Sequence, residues 1–212
     1  MRIRFSVTFR ERNVPDDQGI QELREWCALF HRLGLAPLFA GSSLGNLSFR
    51  LKKGAPSFII TASETGMKDD LADDAFVTVH ECDMERCVVC AEGTRNPSSE
   101  SMLHDHIYRR RPEVNAIFHG HSELILSSAE GLSLPVTPRE DPYGSPELID
   151  SVSEILDDLS CFILRDHGFI TLGNTMQEAG ERAVAMYVKS KEYRAARARA
   201  SRETGYHTHV RK

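Results

Sequence analysis

The sequence predicts one domain of the α/β or α+β class, and three observations support this prediction. The length of 212 residues suffices for one large hydrophobic core and barely favours two domains. Apolar residues make up 41% of the chain and charged residues 27%, which is ordinary for a globular protein. Helical and strand-like patterns interleave along the chain without repeats, linkers or low-complexity segments.

Composition argues against several classes of function and location. A net charge of -5 disfavours nonspecific nucleic-acid binding, which requires a basic surface. No apolar run approaches the roughly 20 residues that span a bilayer, and residues 1–17 are too charged to form the core of a signal peptide. Five cysteines, an odd number, fit a reducing compartment better than a disulfide framework. We therefore expect a soluble cytoplasmic protein with neither nucleic-acid nor membrane partners.

The first third of the chain predicts one helix and two strands. Residues 20–35 carry apolar side chains at helical spacing, and Gly34 is a plausible end to that helix. Residues 41–51 are a Gly/Ser turn that leads into a strand. Residues 57–63 form a short buried strand, which a polar loop follows at 64–74.

The middle of the chain predicts a hairpin and then a helix. Residues 75–82 alternate as a strand does, and residues 86–93 could return as the hairpin partner. Residues 98–112 resemble a helix that Ser98 or Ser99 caps and that Pro112 closes.

The last third predicts three further strands and two helices. Residues 114–122 form a strand, and residues 146–159 form a helix with Pro146 near its first turn. Residues 160–173 give two strand pieces around a polar break. A long helix begins at about Met176 and carries a basic run towards its end.

Two histidines at the end of a predicted strand suggest a metal site. Side chains at positions i and i+2 of a strand point to the same face, so His119 and His121 can reach one point. His167, which follows another apolar strand and precedes Gly168, is the best third candidate. Three imidazoles can hold a zinc ion and leave a position open for water or substrate. Ordinary hydrogen bonding by histidines at strand ends remains an alternative, because short motifs have high false-positive rates.

The segment "NPSSES" suggests an anion site beside a carboxylate. Ser98 and Ser99 lie where a helix begins, so free N–H groups and the positive end of the helix dipole suit a phosphate. Glu100, in the first turn, is either a general base or a carboxylate that merely stabilises the helix start. Helix capping alone would also explain both serines.

Two glycine-containing loops could complete a pocket. "GSSLGNLSFR" offers close backbone approach at Gly41 and Gly45 together with polar groups such as Asn46. "TASETG" places Thr65 and Gly66 just after a buried strand, where binding loops are often built. Turn chemistry alone explains each loop adequately.

In combination and in this order, "GNLSFR", "ITASETGMK", "PSSE", "FHGHS" and "LRDHGFITLG" resemble the class II aldolase/adducin family. The resemblance covers roughly residues 18 to 198. It implies a single three-layer α/β/α domain around a central, largely antiparallel sheet. It also implies a divalent metal, most often zinc, and a homotetramer with active sites between subunits. Within residues 1–212, we expect residues 1–17 to be an N-terminal extension and residues 200–212 to be a mobile tail.

The resemblance also implies roles for individual residues. It makes His119, His121 and His167 the metal ligands and Glu100 the catalytic acid/base. It assigns five residues to the pocket that binds the phosphate of the substrate: Asn46, Thr65, Gly66, Ser98 and Ser99. The implied reaction is lyase chemistry on a sugar phosphate through a metal-stabilised enediolate.

The chain departs from the aldolases at two places. The "TASETG" loop is longer than its counterpart, which leaves open whether Ser63 or Thr65 binds substrate. A catalytic tyrosine expected shortly after Pro135 is missing, with Arg139 near its place and no tyrosine before Tyr143.

Other functions of the same family therefore remain open. A sugar-phosphate dehydratase or decarboxylase would use a related enediolate, while aspartate rather than glutamate in "PSSE" would be typical of the 4-epimerases. A non-catalytic adducin-like scaffold is the alternative outside enzymes. A scaffold need not retain the histidines, the acid/base and a phosphate loop together, so the enzyme is favoured.

Overall fold

An eight-stranded sheet forms the centre of the computed structural model, which describes residues 5–207. The chain contains ten strands in that range: β1 (Ser6–Glu11), β2 (Leu38–Phe39), β3 (Ser42–Ser43), β4 (Asn46–Arg50), β5 (Phe58–Thr61), β6 (Phe76–Asp83), β7 (Val88–Glu92), β8 (Ala116–Gly120), β9 (Cys161–Leu164) and β10 (Gly168–Gly173). The order in the large sheet is β1-β7-β6-β5-β4-β8-β10-β9, while β2 and β3 form a separate small hairpin. Every pair in the large sheet is antiparallel except β1 with β7.

Helices cover both faces of this sheet. They are α1 (Gly19–Arg32), α2 (Ser101–Arg110), α3 (Glu123–Leu126), α4 (Pro146–Ser153) and α5 (Met176–His207). Helices α2 and α4 contribute to one hydrophobic core, and α1, α3 and α5 contribute to the other. The predicted three-layer α/β/α domain with a largely antiparallel sheet is confirmed.

The alternation of side chains along the strands separates the two cores. In β5, Phe58 and Ile60 pack with Leu103 of α2, whereas Ile59 packs in the core that contains Phe30 of α1. All five side chains are almost fully buried. Because successive residues of a strand point to opposite faces, a strand buried on both sides has a continuous apolar sequence.

The N-terminal segment contains a strand that the sequence did not predict. Residues Ser6–Glu11 form β1, which pairs in parallel with β7 and extends the sheet at its edge. Val7 and Phe9 pack against the core, while Thr8 between them is exposed. At the other end of the chain, α5 continues to His207, within the segment expected to be a tail. Residues 208–212 lie outside the described part of the chain.

The start of α2 corrects the prediction that Ser98 or Ser99 caps it. The helix begins at Ser101, and Glu100 is the N-cap residue, without a capping hydrogen bond from its side chain. Ser98 instead organises the preceding turn: its Oγ accepts from the N–H of Glu100 at 3.3 Å, and its carbonyl accepts from the N–H of Ser101 at 3.0 Å. This turn before α2 places the side chain of Glu100 at the N-terminus of the helix, where it faces the sheet.

Two further predictions concern the end of helix α4 and whether the cysteines form disulfides. Helix α4 ends at Ser153, six residues before the predicted end at residue 159. All five cysteines are free thiols. Within residues 5–207, every helix is too short or too polar to cross a membrane.

Candidate metal centre

Neighbouring strands bring the three predicted histidine ligands together. Strand β8 lies between β4 and β10, and His119 near its end pairs with Asn46 on β4 and Ile170 on β10. His121 follows the end of β8, where its N–H donates to the carbonyl of Leu35 at 2.8 Å. Because β8 and β10 are antiparallel, the end of one meets the beginning of the other.

His167 reaches the same point from the turn between β9 and β10. Its N–H donates to the carbonyl of Leu164 at 3.1 Å, and Asp166 before it has a left-handed backbone with φ of 54°. The turn therefore delivers the imidazole to the end of β8. One ring nitrogen from each of His119, His121 and His167 lies within 4.8 Å of the other two.

The hydrogen bond behind His119 fixes which of its nitrogens faces the cluster. Its Nδ1 lies 2.9 Å from the carbonyl oxygen of Phe169. A carbonyl can only accept, so Nδ1 carries the proton of the neutral ring and Nε2 presents a lone pair. That lone pair faces Nε2 of His121 at 3.0 Å and Oε2 of Glu100 at 3.2 Å. A lone pair of His119 and a carboxylate oxygen of Glu100 that face each other beside two further imidazoles fit a cation at the centre of the cluster.

Burial keeps two of the imidazoles in the form that binds metal. Desolvation, with the neighbouring histidines adding to it, lowers the pKa of His121 to about 2. Desolvation also lowers the pKa of His167. A metal ligates the neutral imidazole, so protons do not compete strongly at these two rings near neutral pH.

Glu100 is buried beside the three rings. Its Oε2 accepts from Nδ2 of Asn46 at 2.7 Å, and its Oε1 lies 3.7 Å from Nε2 of His167. Burial by itself would raise the pKa of Glu100, but positive charge at the histidine cluster and the hydrogen bond from Asn46 outweigh burial and lower the pKa to about 2. With the rings neutral, a cation held by them would supply that positive charge. The group is therefore an ionised carboxylate that can accept a proton from a molecule bound next to the histidines.

A cavity of about 530 Å³ opens onto the cluster. Its lining comes mainly from the β2–β3 hairpin, the loop after β5, the start of α2 and two partly exposed histidines. The lining residues are Phe39, Ala40, Gly41, Ser42, Ser43, Leu44, Gly45, Asn46, Ala62, Ser63, Glu64, Ser98, Ser99, Glu100, His121, Tyr143 and His167. This lining contains no lysine or arginine from the described residues. The cavity thus offers hydroxyl, amide and imidazole groups beside two carboxylates.

The five residues predicted to bind phosphate divide into two groups. Asn46, Ser98 and Ser99 line the cavity, whereas Thr65 and Gly66 do not. The carbonyls of Thr65 and Gly66 accept from the N–H and Oγ of Ser43 at 3.1 and 2.9 Å. These bonds tie the loop after β5 to β3, and Ser63 and Glu64 of the same loop face the cavity instead.

Two glycines permit the close packing around His119. Gly45 has a left-handed φ of 74°, and a Cβ there would lie 2.5 Å from the carbonyl oxygen of His119. A Cβ on Gly168 would lie 2.7 Å from Cε1 of the His119 ring. Sequence analysis recognised Gly45 as a point of close approach, but the partner that approaches it is seen only in the fold.

Several residues that line the cavity were not predicted from the sequence. Phe39 and Glu64 carried no recognisable signal, because a single apolar residue or carboxylate in a loop is ordinary. Tyr143 was noted only because no tyrosine precedes it after Pro135. Its place in the lining depends on how the loop before α4 folds against the start of α2, where Gly144 approaches the carbonyl of Ser99.

Comparison with curated proteins finds sugar-phosphate enzymes among those similar to this chain. The chain is 37% identical over 111 residues to an L-fuculose phosphate aldolase from Methanococcus vannielii, covering 44% of this chain and 60% of that protein. It is 29% identical over 113 residues to a methylthioribulose-1-phosphate dehydratase from Methylococcus capsulatus, covering 40% and 54%. Each of these alignments spans less than two thirds of the relative's length.

Solved structures agree on the fold. The chain superposes on L-fuculose-1-phosphate aldolase from Thermus thermophilus with a TM-score of 0.67 and 22% identity, covering 85% of this chain and 95% of that one. At this identity the likeness establishes the fold alone. Residues 21–190 match the family described as Class II Aldolase and Adducin N-terminal domain. This match covers most of the chain, which therefore belongs to the class II aldolase and adducin family.

Proposed function

We propose that this protein is a metal-dependent lyase that breaks or forms a carbon–carbon bond in a sugar phosphate. The observation that carries the proposal is the convergence of His119, His121 and His167 beside an ionised, buried Glu100 at the base of one cavity. Ordinary hydrogen bonding would explain the 3.0 Å contact between His119 and His121. It does not explain why the ring of His167 and the buried carboxylate of Glu100 meet at the same point.

The three imidazoles would hold the divalent cation, most often zinc in sites of this kind. When bound, the cation supplies positive charge that stabilises the negative charge developing on a substrate oxygen as the bond breaks. Imidazole ligands also accept manganese, iron, cobalt and nickel, so the donor set is compatible with several first-row ions.

Glu100 would transfer the proton to and from the substrate carbon. Its Oε2 is fixed by the 2.7 Å hydrogen bond from Asn46, and this oxygen is the one that faces His119. A carboxylate held in one orientation beside the bound substrate avoids the entropic cost of finding that geometry during the reaction.

A second proton-transfer group is required at the hydroxyl of the fragment that leaves as an aldehyde. Tyr143 lines the same cavity as Glu100 and His167, and its phenol is the candidate of this chain for that role. Gly144 next to it approaches the carbonyl of Ser99, so the loop that carries Tyr143 packs on the start of α2.

The phosphate of the substrate would bind where α2 begins. Ser98, Ser99 and Asn46 provide hydroxyl and amide donors there, and the start of the ten-residue helix adds N–H groups and the positive end of its dipole. Thr65 and Gly66 contribute by holding the adjacent loop in place through Ser43. In this cavity the phosphate is recognised by neutral donors rather than by lysine or arginine.

The rim of the cavity favours assembly of several copies. Phe39 lines the cavity and is 70% exposed, and Leu38 and Met67 are also large exposed apolar residues. A homotetramer with active sites between subunits would cover such side chains. Size measurement by light scattering tests this arrangement, and a monomer at working concentrations would contradict it.

A sugar-phosphate dehydratase is the second candidate, since one relative carries that name. Decarboxylase and 4-epimerase reactions would use the same cation and carboxylate, and glutamate at position 100 disfavours the epimerase. An adducin-like scaffold is disfavoured by the ionised carboxylate inside the histidine cluster, which a binding surface does not require.

The test is a screen of retro-aldol cleavage, dehydration and decarboxylation on pentulose, hexulose and methylthio-sugar phosphates. The protein is assayed after chelation, after reconstitution with zinc, and as the Glu100→Gln variant. We expect cleavage of at least one substrate that depends on both the cation and Glu100. Dehydration without cleavage would select the second candidate, and no turnover of any compound would contradict the lyase assignment.

A further inference from the structure

A buried polar column runs from the second turn of α2 to the sheet. Oγ of Ser48 on β4 lies 2.7 Å from Nδ1 of His104 and 2.8 Å from the hydroxyl oxygen of Tyr108. Ser48 and His104 are 0% exposed and Tyr108 is 1% exposed. None of these three side chains lines the cavity or takes part in the chemistry described above.

The column has one consistent direction of hydrogen bonding. Burial raises the pKa of Tyr108, so the phenol keeps its proton and must donate it, and Ser48 Oγ is the acceptor within reach. With its oxygen accepting from Tyr108, Ser48 has one proton of its own to donate, and Nδ1 of His104 is the other polar atom at hydrogen-bond distance. Burial lowers the pKa of His104 to about 3, which keeps the ring neutral. The single ring proton is therefore on Nε2.

The side chain of His104 lies on the same side of α2 as that of Glu100. The two residues are one helical turn apart, and the backbone N–H of His104 donates to the backbone carbonyl of Glu100 at 3.1 Å. On the facing strand, Asn46 and Ser48 are two residues apart and share a face. Asn46 hydrogen-bonds to Glu100 while Ser48 hydrogen-bonds to His104, so the four side chains form two adjacent pairs between β4 and α2.

Three buried polar atoms of these two pairs have no hydrogen-bond partner among the described residues. They are Nε2 of His104, Oε1 of Glu100 and Oδ1 of Asn46. In the protonation pattern above, the first is a donor and the other two are acceptors. A water molecule accepts one hydrogen bond and donates two, so a single buried water would satisfy all three atoms.

We propose that His104 is a positioning residue for Glu100, whose free oxygen it holds through one buried water that Asn46 also binds. This inference rests on the proposed function, in which Glu100 transfers the proton. The bridge would hold Oε1 while the hydrogen bond from Asn46 holds Oε2. The carboxylate then keeps Oε2 directed towards His119 and Oε1 towards His167. His104 does not touch substrate, and its effect on the reaction is the orientation of the carboxylate.

Two substitutions test the roles of the two ring nitrogens of His104 separately. In His104→Asn the side-chain oxygen can replace Nδ1 and keep the bond from Ser48, but no donor remains at the position of Nε2. In His104→Gln the amide nitrogen can replace Nε2 and restore that donor. Both variants are uncharged, polar and smaller than histidine, so each serves as a control for the loss of ring packing in the other.

We expect His104→Asn to lower kcat by about 10- to 100-fold, since a carboxylate displaced by about 1 Å can lose that much. Its KM should change much less than kcat, because no substrate-binding residue is replaced and Asn46 keeps its direct hydrogen bond to Glu100. His104→Gln should recover most of kcat. Metal content and oligomer size, measured on both variants, establish that each is folded. Equal kcat values for the two variants, or a change confined to KM, would overturn the proposal.

Two measurements test the proposal even if no substrate is turned over. Nitrogen-15 NMR of the labelled zinc-loaded protein should show His104 with its proton on Nε2, and a proton on Nδ1 would overturn the proposed direction. A high-resolution crystal structure of the same protein should show one ordered water between His104, Glu100 and Asn46. No water there, or a direct contact between His104 and the carboxylate, would overturn the bridge.

Discussion

The histidines at the end of β8 converge with His167 on one point, whereas the closely spaced cysteines of the β6–β7 hairpin do not form such a cluster. The cysteines have a C-x4-C-x2-C spacing at Cys82, Cys87 and Cys90 that is reminiscent of a metal-binding loop. The fold separates them. Cys82 is 3% exposed in the core, Cys87 lies before β7 with a left-handed φ of 52°, and Sγ of Cys90 accepts from Nε of Arg10 at 3.1 Å.

The difference shows that convergence depends on sheet topology rather than on spacing along the chain. Cys82 pairs across the hairpin with Val89, and Cys90 pairs with Glu81, so the two cysteines are not opposite each other. Burial also raises the pKa of Cys82, which keeps it a thiol rather than the thiolate that a metal requires. The histidines converge because β8 ends where β10 begins.

The largest expected effect is loss of the metal. Replacement of His119, His121 or His167 by alanine should abolish stoichiometric metal binding, because two imidazoles and a carboxylate leave the site incomplete. Elemental analysis of the purified variants measures this. Cys90→Ser serves as the control and should retain the full metal content. Near-stoichiometric metal in a histidine variant would remove that residue from the ligand set.

Glu100→Gln should be the next most severe change. It removes the titratable group while keeping the size of the side chain, so kcat should fall by about 10²–10⁴-fold. The rate must be measured at saturating metal, since Oε2 of Glu100 lies 3.2 Å from a ligand nitrogen. A rate that is merely halved would exclude Glu100 as the acid/base.

Gly168→Ala tests the packing that holds the His119 ring. The new methyl group would lie 2.7 Å from Cε1 of His119 and 2.5 Å from the carbonyl oxygen of Gly120, so the ring must shift. Disturbed support of a ligand typically costs about 10- to 100-fold in metal affinity. Gly66→Ala places the same group in open space and is the matched control. Equal zinc affinities for the two variants would show that His119 tolerates the shift.

Ser99→Ala should have a smaller and selective effect on substrate binding. Loss of one hydrogen bond to the phosphate should raise KM for the phosphorylated sugar by about three- to tenfold, which corresponds to about 1 kcal/mol. The dephosphorylated analogue should be unaffected. If both compounds respond equally, the start of α2 does not bind a phosphate.

The smallest effect concerns the stability of the metal-free protein in mild acid. Burial lowers the pKa of His121 to about 2 and that of His104 to about 3, whereas both titrate near 6.5 when unfolded. The unfolded state therefore binds more protons below that pH, so stability is lost as the pH falls. We expect a loss of roughly 1 kcal/mol for each histidine between pH 7.5 and 6. Urea unfolding at the two pH values measures it, and equal stabilities would contradict the burial of neutral rings.

Much of the fold could be predicted because it is encoded locally. The apolar periodicity of α1 and the continuous apolar run of β5 identify those elements without knowledge of their neighbours. Strand β1 was missed because its sequence, "SVTFRE", is largely exposed at a sheet edge, and its pairing with β7 is a contact between distant parts of the chain.

The cavity wall was harder to predict than the histidines. Thr65 and Ser63 are two residues apart in one loop, but different segments hold them. The carbonyl of Thr65 accepts from Ser43, whereas Ser63, which lines the cavity, donates to the carbonyls of Asn96 and Pro97. The N-cap of α2 is a similar case, since the preceding turn is closed by a hydrogen bond to Ser98 and the cap lies at Glu100, one or two residues after the predicted position. Such contacts depend on tertiary structure, which propensity does not report.

The most direct test of the account is a crystal structure of the zinc-loaded protein with data collected at the zinc absorption edge. The account predicts one anomalous peak at about 2.0–2.1 Å from a ring nitrogen of each of His119, His121 and His167. It also predicts no anomalous peak among Cys82, Cys87 and Cys90. A histidine cluster that stays free of metal, or a zinc ion held by the cysteines, would contradict the account.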